Sequence, residues 1–322
     1  MKPIFLIPGI ISCLALSVYL YPLDNDTAEP DNEPISGEFE NDTRLKQALD
    51  YYLQEQNDNA LALLDDIVKT NENDYRARIL RGNIYSRTQQ FDLAEKEYKR
   101  CISIDSSNTQ AYVNLGMLYT ETGKPYKALE YLREADTIRP HDAVILYLIG
   151  NVYFLLQEYD RSIPYFKEAY ELNPAFSQNL IRIAEYCHIK GDFSSEITIY
   201  RQLLERKESS LLYYKLGLAA YELGDTETEI ASYLKALEIE PDNKDIRYNL
   251  GLAYFESGNF NDALAQFLIL TKGAEPNANA WYYRALCYIN LGEAARAWEA
   301  YESLKNSDSK LADEIYESLK NE

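Results

Sequence analysis

The sequence predicts an all-α solenoid of stacked antiparallel helix pairs, and three features carry that prediction. Similar stretches recur at a period of 34 residues, each holds two apolar stripes, and a glycine commonly stands between the stripes. Large apolar residues at three- and four-residue spacing mark one face of a helix. Glycine is where a helix ends and the chain turns back. A single pair cannot bury its own stripe, so neighbours must stack to share one continuous core.

The period is read first from the segments that begin at Ala77, Ala111 and Ile246, which superimpose with Gly82, Gly116 and Gly251 in one place. Extending the frame gives eight repeats: 41–74, 75–108, 109–142, 143–176, 177–209, 210–243, 244–277 and 278–311. Only the fifth is shortened, by one residue. Position 8 is always small: Ala48, Gly82, Gly116, Gly150, Ala184, Gly217, Gly251 and Ala285. Position 24 is always large: Leu64, Tyr98, Leu132, Phe166, Tyr200, Tyr233, Phe267 and Tyr301. Position 11 is Tyr in six repeats, and position 20 is Ala or Ser in six. The small residues let paired helices approach, and the large ones fill the space beside that contact. Pro140, Pro174 and Pro241 stop the second helix of their repeats. Past the eighth repeat, Ser309 is expected to cap a last helix, of which 312–322 is the end. Its Leu311, Ile315 and Leu319 turn toward the array and its charges toward water, as a terminal cap requires.

With Leu-Gly near the start, Tyr three residues on, Ala in the second helix and Pro at the turn, the pattern resembles the tetratricopeptide repeat family. The resemblance implies a right-handed superhelix whose first helices line a concave face, with positions 2, 5, 9, 12 and 13 pointing into it. Transferred to this chain, it makes Tyr147, Asn151, Phe154, Tyr214, Tyr221, Tyr248, Phe255 and Tyr282 candidate partner-binding residues. Aromatic side chains there would give large contact at low entropic cost. The same rings could instead be core, and for positions 5 and 12 both readings stay open. Positions 11 and 24 are read as core. Members of the family that dock chaperones grip a C-terminal carboxylate with Lys at position 5. Here Ile79 stands at that position beside Asn83 and Asn114, and no repeat has Lys there, so that clamp is not expected. Repeats five and six depart from the pattern, with Glu196 and Glu229 at the small position 20 and with Cys187 and Ala220 at position 11. A bulky acid there must force an adjustment, either a hinge or simple drift.

Composition narrows the function. The chain is 322 residues long with a net charge of −20, which argues against nucleic acid and favours basic partners. A repeat that uses Tyr at fixed positions accounts for the 29 tyrosines. His141 lies in an inter-repeat turn, and His188 and Cys187 are adjacent on a helix, pointing about 100° apart, so they form no dyad. Cys101, Cys187 and Cys287 are widely spaced and take core positions. No zinc pattern or phosphate loop is present, the acids read as solvated faces, and the chain is expected to need no metal or cofactor and to be no enzyme.

Residues 4–21 carry no charge, with Lys2 before them and eight acids over 24–42 after them. Eighteen such residues can just cross a bilayer, and the charge order places the remainder outside. An uncleaved anchor, a cleaved signal with Ala15-Leu16-Ser17 as its site, and a lipoprotein leader at Ile10-Ile11-Ser12-Cys13 all fit. Segment 1–23 is therefore expected to be a signal peptide or membrane anchor, and 24–40 an acidic, extended linker. The expectation is an exported, periplasm-like scaffold, tethered to the membrane only by its N-terminal segment, that binds a protein or peptide. A homo-oligomeric envelope module and a cytosolic co-chaperone are the alternatives.

Overall fold

The computed structural model describes residues 43–272 and 277–320. The predicted leader and acidic linker lie outside them. Seventeen helices and no strand occur among the described residues. The first repeat contributes α1 (Thr43–Leu53) and α2 (Asn57–Thr70), the second α3 (Tyr75–Arg87) and α4 (Phe91–Ile104). The third and fourth give α5 (Thr109–Glu121), α6 (Pro125–Ile138), α7 (Ala143–Leu155) and α8 (Tyr159–Leu172). Then follow α9 (Gln178–Lys190), α10 (Phe193–Leu204), α11 (Ser210–Leu223), α12 (Thr226–Ile239), α13 (Lys244–Glu256) and α14 (Phe260–Leu270). The eighth repeat forms α15 (Ala278–Asn290) and α16 (Ala294–Ser307), and α17 (Ser309–Leu319) closes the chain. Two compact units divide between Asn179 and Leu180, and each is a stack of helix pairs. Helix α10 of the shortened fifth repeat has 12 residues, against 14 in α8 and α12 and 11 in α14.

Local chemistry sets the helix boundaries. Asp74, Asn108, Asp142, Asn243 and Asn277 each precede a first helix and accept its leading backbone N–H groups. Pro125 opens α6, where its missing N–H would have had no partner anyway. The last helix corrects an expectation: its cap is Asp308, whose carboxylate accepts from the N–H groups of Lys310 and Leu311, and Ser309 is the first helical residue. Helices α6, α8 and α12 stop two residues before Pro140, Pro174 and Pro241.

The reversal inside each repeat is left-handed at position 15 in all eight. Gly123, Gly191, Gly224, Gly258 and Gly292 hold it at φ between +68° and +79°. Glu55, Gln89 and Gln157 hold the same bend at φ near +59° to +60°, at a cost of about 1–2 kcal/mol each. The glycine signal thus under-reports a turn that the fold imposes everywhere. His141, next to Pro140, is a fourth non-glycine residue at positive φ, which fits its reading as a turn residue.

The core explains the pairing of positions 8 and 24. All eight residues at position 24 are buried. A Cβ built at Gly82 would stand 2.4 Å from the Tyr98 ring, at Gly150 2.7 Å from Phe166 and at Gly217 2.4 Å from Tyr233. Glycine is needed there because the ring of the second helix lies on the backbone of the first. At position 11 Tyr119, Tyr153 and Tyr288 are buried, while Tyr51, Tyr85 and Tyr254 keep partial exposure. Glu196 and Glu229 at position 20 are buried within the helix packing and not expelled from it. No described helix is long and apolar enough to cross a membrane.

Candidate functional site

Position 5 splits along the chain. Leu45, Ile79 and Val113 are buried, so in the first three repeats this position is core and cannot line a surface. In later repeats the same position is partly exposed, at Tyr147, Ile181, Tyr214, Tyr248 and Tyr282.

In the first unit the fourth repeat places Tyr147, Asn151 and Phe154 on one face of α7, all half-buried. Tyr147 packs 5.9 Å from Phe166 and 4.7 Å from Phe176, and Phe154 meets Tyr159 edge-on at 4.9 Å. These contacts tie the two rings to the core as much as to solvent. Nearby in the second and third repeats the side-chain amides are spent on each other. Tyr98 Oη and Asn114 Nδ2 both donate to Asn83 Oδ1, at 2.8 and 2.9 Å.

The second unit holds the other five candidates on α11, α13 and α15. Tyr214 lies 6.0 Å from Tyr233, and its hydroxyl accepts from Asn249 Nδ2 of the next repeat at 3.0 Å. Tyr248 meets Phe267 at 6.0 Å and Tyr283 at 6.1 Å. Phe255 stands edge-on to Phe260 and to Tyr283, both at 5.4 Å. Tyr282 is 5.3 Å from Tyr283, and burial, aided by the Glu314 carboxylate, pushes its hydroxyl up to about 12. Tyr221 differs, being 49% exposed with its ring on the open face. The structure therefore joins Tyr248, Phe255 and Tyr282 through Tyr283, a position-6 residue that the family pattern does not mark. Its spacing from Tyr282 gave no warning, because neighbours on a helix point apart.

The same face carries acid. Glu222 and Glu256 are exposed at position 13 of α11 and α13, and the Glu256 carboxylate raises the Tyr221 hydroxyl above its ordinary value. Behind them Glu229 is only 5% exposed. Burial first, and then the Glu256 carboxylate, push its carboxyl up to about 7. The buried acid of the preceding repeat is treated differently. Glu196 Oε2 lies 3.1 Å from His188 Nδ1, and that contact raises the imidazole above its usual range against the effect of burial.

Elsewhere the surface offers less. A cleft lined by Tyr126, Leu129, Arg133, Tyr153, Glu158 and Arg161 contains two guanidiniums. Both donate to the Tyr153 hydroxyl, and Arg161 is also paired with Glu158. Cys101, Cys187 and Cys287 are buried, and burial pushes the Cys101 and Cys287 thiols up to about 12, far from reactive thiolates. Among the described residues no group of His, Cys, Asp and Glu could hold a metal ion.

Models described as tetratricopeptide repeat match residues 75–108, 107–175 and 248–310, and one described as TPR repeat matches 217–258. Anaphase-promoting complex subunit 3 of Schizosaccharomyces pombe is 21% identical over 153 residues, covering 48% of this chain and 23% of that protein. Human protein O-mannosyl-transferase TMTC3 is 26% identical over 220 residues, covering 63% of this chain and 23% of that protein. The chain spans less than a quarter of either relative. The C-terminal part of a repeat-containing protein from Cytophaga hutchinsonii superimposes with a TM-score of 0.65 at 15% identity, over 73% of this chain and 97% of that one. That likeness shows the fold.

Proposed function

Because the chain belongs to the tetratricopeptide repeat family, we propose that it is a non-catalytic scaffold that holds a segment of another protein. Repeats of this family are protein-interaction modules. The segment lies across the first helices of repeats six to eight, against Tyr214, Tyr221, Tyr248, Phe255 and Tyr282. The observation that carries this reading is Tyr221, a large ring half in solvent whose hydroxyl lies close enough to Tyr283 of the aromatic cluster to act on it. An exposed aromatic on such a face is what an interaction surface presents. Tyr147, Asn151 and Phe154 offer a second, smaller contact in the first unit.

The occupant is a foreign protein and not a second copy of this chain. Glu222 and Glu256 border the face and the whole chain carries −20, so two copies meeting there would set like charge against like. The test replaces Tyr221 with photoreactive benzoylphenylalanine in cells of the source and maps the adducts by mass spectrometry. A defined segment of one other protein is expected, absent when the probe stands at Ile269. Adducts to the chain itself would select the homo-oligomeric reading.

We also propose that this scaffold works outside the cytoplasm, tethered by its N-terminal segment. The motivation is the uncharged run 4–21 with Lys2 before it and acids after it. A reporter fused after Glu322 should be active only when exported. Activity confined to the cytoplasm contradicts this placement.

A further inference from the structure

We infer that Glu229, with Glu256 and the Tyr221 ring, forms a receptor for one lysine or arginine side chain of the protein held on this face. The inference rests on the reading of the face as a binding surface and adds what chemistry it selects.

The second unit and the first agree on how this chain treats a buried charge. Asp74 is paired with Arg76 at 3.0 Å, and Glu97 with Arg78 and Arg81 at 2.9 and 3.1 Å. Arg182 is paired with Glu185 at 2.8 Å, and Glu196 meets His188 at 3.1 Å. Glu229 is as buried as these, at 5% exposure, and makes no ion pair or side-chain hydrogen bond with the described residues. A buried charge that lacks a partner is expensive, and proteins avoid it.

Glu196 and Glu229 occupy position 20 of successive repeats. In the fifth repeat position 12 is His188, whose ring lies 3.1 Å from the Glu196 carboxylate and gives it a counter-charge when protonated. In the sixth, position 12 is Tyr221, which cannot. What faces Glu229 is Tyr233 one turn along its own helix α12, Tyr221 on α11 and Glu256 on α13. Tyr283 on α15 stands next to Glu256 and Tyr221. The guanidinium of Arg201 on α10 donates to Thr228 Oγ1 at 3.2 Å, and its charge acts on Asp225. The result is a buried carboxylate, a second carboxylate at the surface and an open aromatic ring, with no cation among them. Carboxylates and an aromatic face together suit an ammonium or guanidinium group, by charge and by cation–π attraction. The chain's own charge of −20 draws basic segments toward it.

The probe is a fluorescein-labelled peptide Gly-Ser-Ala-Ala-Xaa-Ala-Ala-Ser-Gly with lysine, arginine or norleucine at the centre. Wild-type protein should bind the lysine and arginine forms about tenfold or more tighter than the norleucine form, and Glu229→Gln should abolish that preference. Equal binding of all three, binding of none at millimolar concentration, or a preference kept by Glu229→Gln overturns the receptor. A ¹³C titration of the Glu229 carboxyl gives a second readout that needs no variant. Its midpoint should fall by about one pH unit or more under saturating lysine peptide, since a bound cation favours the ionised form. An unmoved midpoint overturns the inference. Norleucine-peptide binding that Tyr221→Ala removes and Glu229→Gln leaves intact would keep the surface and discard the cation receptor.

Discussion

Replacing Gly150 by leucine should cost about 3 kcal/mol or more and melt the fourth repeat. Even a Cβ at this position stands 2.7 Å from Cε1 and 2.9 Å from Cδ1 of Phe166, a buried ring that cannot swing away within a packed layer. The three remaining side-chain carbons have nowhere to go except between α7 and α8. Alanine is a gentler change, since Ala184 faces Tyr200 and Ala285 faces Tyr301 at the equivalent positions, all four buried. Gly150→Ala should therefore cost clearly less than Gly150→Leu. Stacked repeats store their energy in neighbouring contacts. Hydrogen exchange should accelerate in α7 and α8 while α15 and α16 keep their protection. Uniform loss of protection over the whole chain would contradict this local picture.

Replacing Glu97 by alanine should cost about 3 kcal/mol, measured by urea denaturation. The carboxylate is 6% exposed and accepts from Arg78 Nη1 at 2.9 Å and Arg81 Nη2 at 3.1 Å, themselves 12% and 16% exposed. Removing it strands positive charge in the layer between α3 and α4, and only Arg81 keeps another carboxylate, Asp65 at 3.4 Å. Replacing the three charged residues together by Met, Met and Leu should recover most of the loss, because apolar packing replaces a buried pair at little cost. A triple variant no more stable than Glu97→Ala would mean that the pairing itself, and not the avoidance of stranded charge, stabilises the repeat.

How far the sequence was readable follows from the range of its signals. Position 8 and position 24 lie sixteen residues apart in every repeat, so one contact is printed eight times and the helix pairs were legible. The left-handed bend was legible only where glycine holds it, because Glu55, Gln89 and Gln157 adopt it without any signature of their own. Burial of Leu45, Ile79 and Val113 at a position expected to face a groove was not legible, since residue type does not decide it: Ile79 is buried and Ile181 at the same position is partly exposed. The charged pairs were missed altogether. Glu97 finds its partners 19 and 16 residues back on the preceding helix, a distance at which no helical periodicity operates. Glu229 was visible as a departure at a small position, but its burial and its lack of a counter-charge needed the surrounding helices.

The central claim is that the face built by α11, α13 and α15 holds a protein segment, and Tyr221 tests it most directly. Tyr248 packs against Phe267 and Tyr283, so its truncation mixes stability with binding. Tyr221 is 49% exposed, so its truncation should leave the fold alone. The measurement is the melting temperature and the Kd for the segment cross-linked through position 221, on wild type, Tyr221→Ala and Tyr248→Ala. Tyr221→Ala should melt with the wild type and bind about tenfold or more weaker, a loss on the order of 2 kcal/mol, while Tyr248→Ala should lose both stability and affinity. Unchanged affinity in Tyr221→Ala, or a fall in its melting temperature as large as that of Tyr248→Ala, would contradict the claim.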